Sequence, residues 1–219
     1  MIKVERTFPA PQSLEIEKTK ESGTYNHPDV IDQLRHDFYD KCYICGIKPV
    51  LDPEVEHRLP HKNNSIAGRK FDWNNLFWSC RHCNVAKNNV KYDAGIIDCC
   101  IRDPEKYIHF SVNEEAVEAK AFDPSDCEAS LTAELVEETF NLKNTGIRKV
   151  ASEARLDRLQ KEMDKLSYEL RKFRRKKDSH LIKRNLHILL NRKAPFAEFK
   201  RNYVRDHILD YPELNDYLE

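Results

Sequence analysis

An α+β fold is predicted by three features of this sequence. Two Cys-x-x-Cys pairs, Cys42/Cys45 and Cys80/Cys83, bracket two short strand-like segments and run straight into a polar helix start. Beyond Asp126, apolar residues recur at helical spacing through a long polar stretch. Residues 1–26, by contrast, carry little periodicity. The expected architecture is a small cysteine-stapled ββα core with an extended N-terminal arm and a largely helical C-terminal region. A chain of 219 residues has room for one or two modest domains. The division expected is 1–126 for arm and core and 127–219 for the helices.

The elements follow in order. The arm contains Phe8-Pro9-Ala10-Pro11 and reads as a strand-like strap over the body. A helix then starts near Pro28, with Val30, Leu34 and Phe38 on one face, and runs toward Tyr39. Gly46 closes the first cysteine pair with the tight turn that a knuckle needs. Val55 to Leu59 and Leu76 to Trp78 read as short strands, separated by a polar loop with Asn63-Asn64-Ser65 and Gly68 as breakers. Arg81 to Lys87 opens a short helix, with Asn88 and Asn89 at its exposed end. Tyr107–Phe110 and Val117–Phe122 form a hairpin around Asn113-Glu114-Glu115, and Asp123-Pro124-Ser125-Asp126 is a turn. Ser130 or Thr132 caps a helix to about Leu142, which Asn144-Thr145-Gly146 breaks. Leu156, Leu159, Met163, Leu166, Leu170 and Phe173 then form one stripe. It is too short for an independent coiled coil and so predicts one arm of a helical hairpin, with Leu181-Ile182, Leu186 and Leu189-Leu190 on the return helix.

The bulk composition excludes several classes. No apolar run is long enough to span a membrane. The start, Met1 to Arg6, has no signal-peptide core, so a cytoplasmic protein is expected. There is no Gly-rich phosphate loop, so no ATP binding is expected of this chain. The net charge of zero conceals a basic third. From Arg148 to Arg205 there are roughly 19 Lys/Arg against about 7 Asp/Glu, a surface suited to a phosphate backbone or an acidic partner. Cys99, Cys100 and Cys127 read as buried small hydrophobes.

The chemistry concentrates between Cys42 and Lys87. Four thiolates from two knuckles suit tetrahedral zinc and leave no open position, so this zinc is structural. It would reinforce a core that so few residues barely supply. Phosphodiester hydrolysis needs a base for water and a divalent cation for the phosphate. His57 is the natural base, because imidazole titrates near neutrality. Glu56 offers a carboxylate oxygen to Mg²⁺ or Mn²⁺, and Asn84 offers a second ligand from the first turn of the helix. Neighbours on a strand face opposite ways, so a ligand and a base at adjacent positions require local distortion. Asn75 is placed to bridge the loop and hold the His57 backbone. Lys87, one turn after Asn84, is placed to meet a phosphate. His61 reads as a loop histidine or a phosphate contact, and His82 as an exposed residue. Trp73 and Trp78 read as cover for the small core.

Cys-x-x-Cys, then Glu56-His57, then Asn75-Leu76, then Cys-x-x-Cys-Asn84-x-x-Lys87 resembles the HNH (ββα-metal) endonucleases. That resemblance implies a one-metal DNA nuclease with Glu56 and Asn84 as metal ligands, His57 as general base and Asn75 as the middle Asn. Glu stands where Asp or His is commoner. The arm, Glu56 to His61, Asp72-Trp73-Asn74-Asn75-Leu76 and Asp103-Pro104 are similar to the HNH subunit of Septu-type anti-phage systems and to related retron effectors. This narrower resemblance implies an ABC/SMC-like ATPase partner. The competing readings are a zinc-stabilised nucleic-acid-binding module without catalysis, and a restriction or homing HNH nuclease acting alone.

Overall fold

The computed structural model describes residues 1–62, 68–87, 90–141 and 146–218. The expected loop breakers at 63–65, the helix end at Asn88-Asn89 and the break at 142–145 lie outside these residues.

The arm lies across the body as an extended strap. Val4 N–H donates to the Cys99 carbonyl at 2.9 Å, and Trp73 Nε1 donates to the Thr7 carbonyl at 3.1 Å. Arg6 sits against the rings of Phe38, Trp73 and Phe77. The strap ends in a helix that the sequence pattern does not anticipate, α1 (Gln12–Lys18). It buries only Leu14 and Glu17, too few apolar positions to register as a period. Next, α2 (Pro28–Asp37) buries Val30 and Leu34 with Pro28 at its start, as expected.

The central unit is β1 (Pro53–His57), β2 (Leu76–Cys80) and α3 (Arg81–Lys87), with α3 following β2 directly. The strands pair antiparallel, with Glu56 opposite Phe77 and His57 opposite Leu76. β1 ends at His57 rather than Leu59. The amides of Arg58 and Leu59 turn instead to the backbone carbonyl and the side-chain oxygen of Asn75. A second hairpin, β3 (Ile108–Val112) and β4 (Val117–Ala121), forms where expected. Asn113 Oδ1 accepts two amides across its turn.

Helix α4 (Cys127–Asn141) starts earlier than Ser130 or Thr132. Asp126 supplies the cap, accepting the Ala129 amide at 3.1 Å. Thr132 lies inside the helix, where its hydroxyl donates to the Glu128 carbonyl and accepts from Ile97 N–H. The hairpin of α5 (Gly146–Arg175) and α6 (His180–Leu190) packs Leu166, Leu170 and Phe173 against Ile182, Leu186 and Leu190. Leu181 departs from the expectation and is exposed.

The last helix, α7 (Ala197–Asp206), is also unanticipated. Its buried face carries Glu198, Lys200, Arg201 and Asn202, so part of the basic third is interior rather than surface. Arg201 pairs with Glu105 at 2.9 Å and donates to the carbonyls of Leu190, Tyr217 and Leu218. Lys200 pairs with Glu162 at 2.9 Å. One apolar cluster runs without interruption from Met1 through α4 to Phe199, and the α5–α6 hairpin builds a second with residues 204–218. Cys99 is buried and Cys100 half-buried, but Cys127 is exposed and is not a core residue. Among the described residues, no helix is long and apolar enough to cross a membrane.

Candidate active site

The four knuckle sulfurs lie within 4.8 Å of one another and all four residues are buried. A tetrahedron with metal–sulfur bonds of about 2.3 Å has edges of about 3.8 Å, so the cluster fits zinc and nothing remains open for a substrate. Gly46 makes the turn with φ +75°, and its amide donates to the Cys42 carbonyl at 3.0 Å. A Cβ at this position would collide with the Glu198 carboxylate, so glycine is needed on two counts. From α5, Arg155 donates to Cys80 Sγ at 3.1 Å. Hydrogen bonds from the other three thiols, with Arg155 beside them, hold the Cys80 thiol far below its ordinary value. A guanidinium here offsets part of the charge of a tetrathiolate, and nothing in the cysteine spacing announces it.

Strand alternation sends Glu56 and His57 to different surroundings. His57 is buried against Tyr25 and His61, each with its ring centre 4.5 Å away and edge-on. Its Nε2 lies 3.0 Å from the Lys70 carbonyl. A carbonyl only accepts, so Nε2 carries the proton and the lone pair of the neutral ring is on Nδ1. Burial is the main cause that lowers the His57 pKa, so the neutral form prevails at pH 7. His61 is shifted the same way, by burial and by Lys70.

Glu56 turns toward α3. Its Oε1 pairs with Lys87 Nζ at 2.7 Å, and its Oε2 accepts from the Tyr43 hydroxyl. Burial and the neighbouring Glu56 push the Tyr43 hydroxyl well above its ordinary value, so it remains a donor. Lys87 also donates to the His57 carbonyl at 3.0 Å. One ammonium thereby ties the strand position of His57 to the Glu56 carboxylate. Removing one partner of such a buried pair costs about 3–5 kcal/mol, because the other charge is left stranded. Lys87 is accordingly buried and turned inward, not presented outward as the spacing suggests.

Asn84 does not meet Glu56; its Nδ2 donates to Glu54, two residues earlier on β1. The Asn75 side chain is hydrogen-bonded to residues beyond His57. It exchanges two hydrogen bonds of 2.8 Å with the backbone of Leu59 and donates to the Arg69 carbonyl at 3.1 Å. It thus clamps both ends of the loop whose Lys70 carbonyl fixes the His57 ring. His82 is partly buried, with Nε2 3.0 Å from the Thr139 carbonyl, and does not face outward. Trp73 and Trp78 are buried in the core as expected.

The structure therefore gathers Glu56, His57, His61, Asn84 and Lys87 around one cleft of about 630 Å³, with Tyr25 as an added wall. Burial, then Glu54 and Glu56, raise the Tyr25 pKa. Tyr25, Tyr43 and Glu54 escape the motif reading. The first two arrive from other parts of the chain, with no spacing signal. Glu54 was accessible in principle, since a period of two places it on the Glu56 face.

Residues 42–90 match the model of the HNH endonuclease family. The match spans both knuckles, β1, β2 and α3, so most of the cleft lining lies in the HNH region. No curated protein matches the chain.

Proposed function

We propose that this chain is a metal-dependent HNH endonuclease that cleaves DNA phosphodiester bonds in the cytoplasm, with His57 as the general base. The observation that carries this reading is the Nε2–Lys70 carbonyl contact, which leaves Nδ1 of a neutral imidazole as the proton acceptor. Nδ1 takes a proton from the attacking water, while Lys87 and the Asn75 clamp keep the ring and strand fixed. His61, at the cleft, contacts a phosphate oxygen. The carboxylates of β1 and the Asn84 amide are hard oxygen donors that fit Mg²⁺ or Mn²⁺. When bound, such an ion supplies positive charge to the phosphate and the departing 3′ oxygen. The test is nicking of supercoiled plasmid with and without Mg²⁺. His57→Ala should lose about 10²–10⁴ in rate with its thermal midpoint retained. Near-normal cleavage by that variant would transfer the base to His61.

The narrower likeness to Septu-type subunits supports a role as nuclease effector in an anti-phage complex with an ABC/SMC-like ATPase. Docking would use residues 147–219. One feature favours this region: α5 and α3 border an apolar groove containing Ile47, Leu51, Val85 and Ala154, with Arg81 and Arg158 at its rim. Co-purification with an ATPase encoded beside this chain tests it, and Leu51→Glu with Arg158→Glu should abolish the association. Full recovery of the pair from that double variant would place docking elsewhere.

A further inference from the structure

Two carboxylates of β1, Glu54 and Glu56, stand two residues apart and so share one side of the strand. Their situations are opposite. Both oxygens of Glu56 are engaged, one by Lys87 at 2.7 Å and the other by Tyr43, and its side chain is only 3% exposed. A divalent ion approaching Glu56 meets an ammonium already in place, and the two cations repel at such range. Lys87 cannot leave without also abandoning the His57 carbonyl.

Glu54 is 34% exposed, and the solvent-facing Arg81 guanidinium stands 3.9 Å from it. A contact of that kind is weak and screened. Glu54 already meets Asn84. Rotating a side-chain amide by half a turn replaces its N–H group with its carbonyl oxygen at nearly the same point. Asn84 and Glu54 then offer two oxygens side by side, the arrangement of neighbouring ligands on one hard cation. The hollow holding Glu54 adjoins the His57 cleft, since Tyr25, Val55 and Asn84 line both.

We infer that Glu54, together with Asn84, is the carboxylate ligand of the divalent ion, and that Glu56 is a positioning residue that holds Lys87 beneath His57. This rests on the reading of the cleft as a metal-dependent nuclease centre. The ligand is a hard divalent cation, Mg²⁺ or Mn²⁺.

The experiment titrates Mn²⁺ into the full-length, zinc-loaded protein and reads free Mn²⁺ from its electron paramagnetic resonance signal. Zinc content and circular dichroism of each variant confirm folding. Glu54→Gln, Glu54→Ala and Asn84→Ala should each weaken Mn²⁺ binding by about tenfold or more, and Glu56→Gln by less than about threefold. Loss on Glu56→Gln with Glu54→Gln unaffected, or equal losses for both, overturns the assignment of Glu54 and leaves the ion site in the cleft. Indifference of Asn84→Ala, or no Mn²⁺ binding by the parent protein, overturns the nuclease centre and the assignment together.

Discussion

The HNH region buries one acid–base pair, the packing of α7 against the turn ahead of β3 buries another, and the two pairs differ in their neighbours. Glu56 and Lys87, 2.7 Å apart, border the cleft, and Lys87 also donates to the His57 carbonyl. Glu105 and Arg201, 2.9 Å apart, are buried, and the guanidinium also donates to the carbonyls of Leu190, at the end of α6, and of Tyr217 and Leu218. The same chemistry thus fixes a strand at the rim of a cleft in one place and packs a helix in the other. A buried charge alone points to no function; what its spare donors hold decides the matter.

The largest expected effect separates the regions outright. Cys83→Ser or stripping with a strong chelator removes a metal whose binding contributes on the order of 10 kcal/mol to folding. The HNH region should unfold, while the α5–α6 hairpin, with its own apolar cluster, retains helical circular dichroism. An unchanged melting curve after zinc removal would show that the sulfurs play no structural part.

Next come the two ion pairs. Lys87→Met should destabilise by about 3–5 kcal/mol, because it strands the buried Glu56 carboxylate, and Arg201→Met by less, because Arg205 at 3.0 Å and Arg192 at 3.5 Å still pair with Glu105. They should differ in activity per folded molecule, unchanged for Arg201→Met and reduced for Lys87→Met. Equal activities in the two variants would erase the distinction between the pairs.

The smallest effect is in pH dependence. Burial depresses the His57 pKa below its ordinary 6.5. Below pH 6.5 the unfolded chain therefore takes up this proton before the folded protein does. The stabilising contribution is complete above that pH and is lost as pH falls toward the depressed value. Activity follows the same sign: the acid limb of kcat/KM should lie below pH 6.5, and a limb centred above it contradicts a buried base.

The legible and illegible parts of the sequence divide along physical lines. Thiol spacing and two short strand-like segments between the knuckles exposed the ββα unit, because metal ligands are set by local geometry. The α5–α6 hairpin was visible because its inward positions are apolar. Helix α7 was hidden by its inward Glu198, Lys200, Arg201 and Asn202, which read as surface until their partners are known. At the cleft, His57, Asn84 and Lys87 could be named from spacing, but not that Lys87 faces inward or that Asn84 meets Glu54. Tyr25 depends on how the arm folds back, which no local pattern encodes.

Arg155 gives α5 a mechanical meaning. From Arg155 to Arg175 the helix continues for about 30 Å, and its near part touches Cys80 Sγ, immediately ahead of α3. A rod fastened to a metal knuckle is a lever. Force applied near Arg175 is delivered to the residue just ahead of the helix carrying Asn84, so the cleft has a handle far from its own mouth.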